Sequence, residues 1–223
     1  LTGSPYFVTS SITVSNDATL TIEPGVEVRF NANTALTLGS SSTSLGILKA
    51  KGSATQRITF TTNSATPAPG QWVGLTLAYT TPATRLAYCT IEYGGAGRAA
   101  ANLAVYSSTP TIQHCTIRSS DGRGVYLYGG THPTFKACTI TENNGHGISL
   151  GSGGVAVTDT HLTNNGGYGL FAEESSGGAS VFQGNTVTGN GQLPLRLHLN
   201  RFPNPYAGNT YRDNGIQAIE LFG

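Results

Sequence analysis

Glu173 and Glu174 stand side by side, and Arg196, His198 and Glu220 follow toward the C-terminus. Carboxylates exchange protons, an arginine grips an anionic group, and a histidine does either near neutral pH. Acting on an acidic sugar, Glu173 would be the acid or base, with Arg196 and His198 placing the anionic group. A second candidate is His146, set in Gly145-His146-Gly147-Ile148-Ser149-Leu150-Gly151-Ser152. The third is the set Cys89, Cys115 and Cys138, whose odd number excludes complete internal pairing. Tyr106, Tyr126, Tyr128 and Phe171 are candidates of another kind: their rings offer flat apolar area to a sugar.

These residues fall on a repeat, and the repeat decides how they are placed. Cys-Thr-Ile occurs at 89–91, 115–117 and 138–140, then degenerates to Thr160-His161-Leu162, Asn185-Thr186-Val187 and Asn209-Thr210-Tyr211. The steps are 26, 23, 22, 25 and 24 residues, too short and too irregular for helical repeats of about 33 or 34. Three residues past each apolar position comes Ser120, Asn143, Asn165, Asn190 or Asn214. Eight past it comes Val125, Ile148, Leu170, Leu195 or Ile219. A third segment, Pro110-Thr111-Ile112 or Pro133-Thr134-Phe135, precedes two of the triplets. Each repeat therefore reads as three short strands joined by corners, and glycine and asparagine are expected at the left-handed corners.

The strands alternate, as half-buried strands do. Cys115 and Ile117 face inward with Thr116 outward; Val125 and Leu127 face inward with Tyr126 and Tyr128 outward. One repeat holds too little apolar surface for a core, whereas stacked repeats bury a continuous one. Earlier in the chain Leu20, Ile22, Val26, Val28, Phe30, Ile58, Phe60, Leu75 and Leu77 show the same pattern less regularly.

The second half resembles the right-handed parallel β-helix repeats of bacterial secreted and surface proteins, a pectate-lyase-like superfold. Thr19-Leu20-Thr21-Ile22-Glu23-Pro24-Gly25-Val26 looks like the opening of such a domain, and Gln71-Trp72-Val73-Gly74-Leu75 like a segment that often follows it. The resemblance implies an all-β, single-stranded solenoid of about nine coils, ~40 Å long at ~4.8 Å per coil. It also implies a secreted or cell-surface location. The whole of 1–223 is expected to be one domain, with a cap and irregular first coils over 1–60 and regular coils over 61–223. Leu1 to Thr13 is the expected cap. With no methionine at its start, the chain is expected to be processed or cut from a longer one.

On this frame the candidates sort out. Asn143, Asn165, Asn190 and Asn214 should stack as a structural ladder. The cysteines share an inward column, where buried free thiols are expected rather than a metal site. The His146 segment looks like the histidine motif of polygalacturonases, but Gly122 and Arg123 occupy the place where paired aspartates are expected, and Asp121 is alone. Glycine-X-glycine is then the repeat itself, with Arg123, His146 and Tyr168 as X. Two outward columns, Thr90-Thr116-Thr139-His161-Thr186-Thr210 and Glu92-Arg118-Thr141-Thr163-Thr188-Arg212, resemble ice-binding surfaces, but His161 and charges interrupt them.

A formal net charge of +1 gives no field to draw nucleic acid, and no apolar run reaches the ~18 residues of a membrane span. The expected function is a non-catalytic extracellular module for adhesion, scaffolding or glycan contact through Tyr106, Tyr126, Tyr128 and Phe171. The alternative is a lyase, hydrolase or epimerase on an acidic polysaccharide, through Glu173, Arg196 and His198. The longer loops, Thr62 to Gly70 and Arg201 to Ala207, carry no acid to complete such a site. No cofactor is expected. A polysaccharide is the expected partner, with self-association or contact with a parent chain at the C-terminal coil, where Leu221-Phe222-Gly223 falls within a strand column.

Overall fold

The computed structural model describes residues 3–173 and 178–223. Among them the chain winds through nine coils and lays down three sheets. Sheet I has nine strands, from Tyr6–Val8 to Thr210–Arg212. Sheet II has nine, from Ile12–Val14 to Ile219–Phe222. Sheet III has eight, from Ala18–Ile22 to Tyr206–Ala207. The first eight coils contribute to I, II and III in turn and the ninth to I and II, and the pairing from coil to coil is parallel. One 3-10 turn, Leu199–Arg201, is the only helical element among the described residues. The segment expected as a cap already carries strands: Tyr6–Val8 pairs with Glu27–Phe30, and Ile12–Val14 with Ala35–Leu38.

Alternation sets the core. In strands such as Glu27–Phe30 and Ala35–Leu38 every second side chain is buried. Phe30, Phe60, Phe135 and Phe182, with Leu75, Leu103, Leu127 and Leu150, fill the axis from the three sheets and are fully buried. Both outward threonine columns form in sheet I in the expected register.

The corners are locked by side chains. Between sheets I and II, the Asn165 Oδ1 accepts from Asn143 Nδ2 at 2.9 Å. The Asn190 Oδ1 accepts from Asn165 Nδ2 at 3.0 Å, and the Asn214 Oδ1 from Asn190 Nδ2 at 2.9 Å. Each of these oxygens also takes the backbone N–H of the asparagine one coil before. The cysteine column is a second ladder, between sheets III and I. The Cys89 N–H meets the Cys115 sulfur at 3.4 Å. Further along, the Cys138 N–H donates to Thr160 Oγ1 at 3.2 Å, the Thr160 N–H to Asn185 Oδ1 at 3.0 Å, and the Asn185 N–H to Asn209 Oδ1 at 2.9 Å. Sulfur, hydroxyl and amide thus succeed one another in one role.

Immediately before each ladder residue the backbone is left-handed. Asn164, Gly184, Gly189 and Gly208 suit that conformation, but Tyr88, His114, Ala137 and Glu142 adopt it too, with φ between 51 and 57°. The left-handed corners thus extend beyond glycine and asparagine. Bonds to the coils on either side hold the corner, and they offset the steric cost of a Cβ.

Candidate functional site

The outer face of sheet II gathers most of the candidates, because its register brings distant residues into columns. One column runs Ala104, Tyr126, Ser149, Phe171, Arg196, Glu220. Beside it Ala78, Tyr106 and Tyr128 are in register, and further along His198 faces Phe222. Adjacent coils lie ~4.8 Å apart, so rings in one column are forced into contact.

Two ring clusters result. In the first, Tyr79 meets Tyr106 edge-on at 5.0 Å, Tyr106 meets Tyr128 at 4.8 Å, and Tyr128 meets Tyr126 at 5.0 Å. Burial raises the Tyr128 hydroxyl above its ordinary pKa, and its neighbours Tyr126 and Tyr106 add to the shift. The Arg123 guanidinium lies over Tyr126 at 4.7 Å. In the second cluster His146 stacks on Phe171 at 4.5 Å with 9° between planes, and Tyr168 packs edge-on against both. Arg196 lies between Phe171, at 5.0 Å, and Phe222, at 4.2 Å. Between the clusters Ser149 is fully buried, although it belongs to the outward set, and its hydroxyl has no hydrogen-bond partner.

The charged candidates divide. Arg196 Nε bonds Glu220 Oε1 at 2.9 Å and Nη1 bonds the Ala172 carbonyl at 3.1 Å. The Tyr168 hydroxyl donates to the other Glu220 oxygen at 2.9 Å. Burial pushes the Glu220 carboxyl up, but the bonds from Arg196 and Tyr168 outweigh it and hold the group below its ordinary pKa. A carboxylate held ionised in this way is a poor proton donor. His198 accepts the Asn200 N–H at 3.2 Å and sets its ring against Phe222 at 5.0 Å. The Glu173 backbone N–H donates to Leu150 at 2.8 Å. Its side chain shares with the Tyr126 hydroxyl the space over Gly151, where an added Cβ would come within 2.9 Å of the Tyr126 oxygen and 3.3 Å of Glu173 Oε2. Among the described residues Arg196 turns to Glu220 and His198 to Phe222. Glu174 lies outside the described residues.

His146 belongs to the ring band. Its Nδ1 accepts the Tyr168 N–H at 3.0 Å, which leaves the proton on Nε2. Burial, with a smaller push from Arg123, lowers its pKa to about 4. Asp121 packs against Gly70 and accepts from Asn144 Nδ2 at 3.4 Å, away from His146 in hydrogen-bond terms. Sequence reasoning placed Tyr106, Tyr126, Tyr128 and Phe171 on this face but left out Tyr79, His146, Tyr168 and Phe222. The register Val125–Ile148–Leu170 was the available signal, because two residues before it stand Arg123, His146 and Tyr168.

Among the described residues no three of His, Cys, Asp and Glu gather as a metal centre. The cysteines are free and buried. Burial raises the Cys115 thiol far above its ordinary pKa, and the contact with Cys115, together with burial, does the same at Cys138.

No curated protein and no solved structure matches the chain. A family model described as a right handed beta helix region matches it twice, over residues 6–176 and 77–223. With strands cycling through three parallel sheets under those matches, the chain belongs to the right-handed β-helix family.

Proposed function

We propose that this chain is a non-catalytic β-helix module, secreted or displayed at a cell surface, that contacts glycan through the aromatic band of sheet II. The observation that supports this reading is the pair of ring clusters on one outward face, Tyr79–Tyr106–Tyr128–Tyr126 and His146–Phe171–Tyr168. Pyranose rings stack on such faces, and Glu173, Arg196 and Glu220 stand beside them for hydroxyl groups. A rigid band of this kind contributes affinity with little loss of side-chain freedom. Adhesion and scaffolding are the roles such contact would serve.

The test is a glycan-array screen of the wild type and of a Tyr126→Ala, Tyr128→Ala, Phe171→Ala triple variant. Loss of binding by tenfold or more is expected for the triple variant. Undiminished binding would remove the band from consideration. A parallel assay for reducing or unsaturated sugar addresses the enzymatic alternative, which the position of Glu173 beside the Tyr126 hydroxyl favours. Release that disappears in Glu173→Gln would replace the binding module with an enzyme.

A further inference from the structure

Every lysine of the chain lies on one face. Lys49, Lys51 and Lys136 are exposed on the outside of sheet III, and Arg85 joins them there. The eight strands of that sheet, ATLTI, GILKAK, RLA, TIQ, TFK, VAVT, ASVFQ and YA, contain no acid. Register then aligns the cations along the solenoid axis. Lys49 pairs directly with Arg85. Lys51, Ala87, Gln113 and Lys136 form the neighbouring column.

Like charges directly opposite each other on a sheet destabilise it. Among the described residues no ion pair reaches Lys49, Lys51, Arg85 or Lys136. Glu23, which follows the first strand of the sheet, and Asp159, which follows the sixth, form none with them. Arg85 instead donates to the carbonyls of Pro82 and Thr84, which fix its guanidinium.

The same face carries a recess of about 320 Å³, lined by Lys51, Gly52, Arg85, Ala87, Tyr88 and Gln113. Its cause is local: Ala87 is the small residue between Lys51 and Gln113 in their column. The Tyr88 ring at its wall is held by stacking on His114 at 4.6 Å and 8°. Two cations, an aromatic ring and a side-chain amide are a set that suits a sugar ring bearing an anionic group.

We propose that the outer face of sheet III binds a linear polysaccharide carrying carboxylate or sulfate groups, with one charged sugar seated in the recess and the chain running along the axis toward Lys136. The distance from Lys51 to Lys136 is three coil rises, ~14 Å, which favours a polymer over a single small anion. None of the large exposed apolar residues lies in a sheet III strand, so the face has nothing to insert into a lipid surface. This site is separate from the aromatic band, and each stands or falls alone.

Affinity electrophoresis through alginate, dextran sulfate and neutral dextran tests it. The wild type should be retarded by at least one of the two anionic polymers and not by dextran, and carboxylate or sulfate preference follows from which one acts. Lys51→Gln, Arg85→Gln, Lys136→Gln should weaken retention at least tenfold with an unchanged thermal midpoint. Arg29→Gln, Arg98→Gln, Arg212→Gln, which removes as many cations from elsewhere, should leave it within twofold. The aromatic-band triple variant should also retain it. An absence of retardation, an equal loss in the sheet III triple variant and in the control triple variant, loss with the aromatic variant, or binding to phosphatidylserine vesicles without binding to either anionic polymer would each overturn the proposal.

Discussion

Acid should destabilise this protein through His146. The ring is part-buried, stacks on Phe171 at 4.5 Å and accepts the Tyr168 N–H at 3.0 Å, so protonating Nδ1 means losing that bond. Its pKa falls from the ordinary 6.5 to about 4, through burial first and Arg123 second. The folded state therefore binds fewer protons than the unfolded chain between those values. Stability is intact above pH 6.5, falls as pH drops toward 4, and loses nothing further from this residue below that. At about 1.4 kcal/mol per pH unit the full loss is about 3 kcal/mol, of which about 2 kcal/mol is reached by pH 5. Solvent reaches part of the ring, so about 1–2 kcal/mol between pH 7.5 and 5 is the expected share. His146→Gln keeps an acceptor for the Tyr168 N–H and cannot titrate. Urea unfolding of both proteins at pH 7.5 and pH 5 reads the difference, and the variant should lose that much less. The other histidines cancel in the comparison. Equal pH dependence in the two proteins, or an NMR titration midpoint for His146 at or above 6.5, would refute the reasoning.

Asn165→Ala should cost about 3–4 kcal/mol in urea unfolding, because it deletes four ladder bonds and leaves the buried Asn143 N–H and Ile140 carbonyl without them; a cost below about 1 kcal/mol would mean that the corner is held by backbone alone. The native thiols should react with 5,5′-dithiobis(2-nitrobenzoate) at pH 8 at least a thousandfold more slowly than the urea-unfolded ones, since Cys115 and Cys138 are buried and their pKa values are raised. Labelling at comparable rates would contradict that burial.

The Cys-Thr-Ile triplets made the coil length legible, and period-two alternation made the facing of each strand legible. Together they gave the sheet I columns residue by residue, down to Glu92 against Arg118 and Thr188 against Arg212. Which partner each charged group takes was not legible. Glu173, Arg196, His198 and Glu220 share a face, but alternation cannot say that the arginine turns to Glu220 and the histidine to Phe222. His146 and Tyr168 precede their strands and were read as corner residues, although the register carries them onto the ring band. The basic face is not legible in the sequence because Lys51 and Lys136 are far apart in it and belong to the third segment, where the repeat is weakest. The cysteines were read as small apolar fillers, and only the N–H of Cys89 pointing at the Cys115 sulfur reveals them as rungs.

Trp72 is the one tryptophan in the chain. It is fully buried, stacked on Phe30 at 4.1 Å, and its indole N–H donates to the Glu92 carbonyl at 2.8 Å. Its fluorescence therefore reports on the second to fourth coils alone, while most of the tyrosine band lies further along the axis. In a solenoid each coil leans only on its neighbours, so the two chromophores are gauges placed at different stations on one rod. Melting curves that superimpose mean that the nine coils yield as a single unit. Curves that separate locate a fault line between the stations, and the order in which they move says from which end the rod gives way.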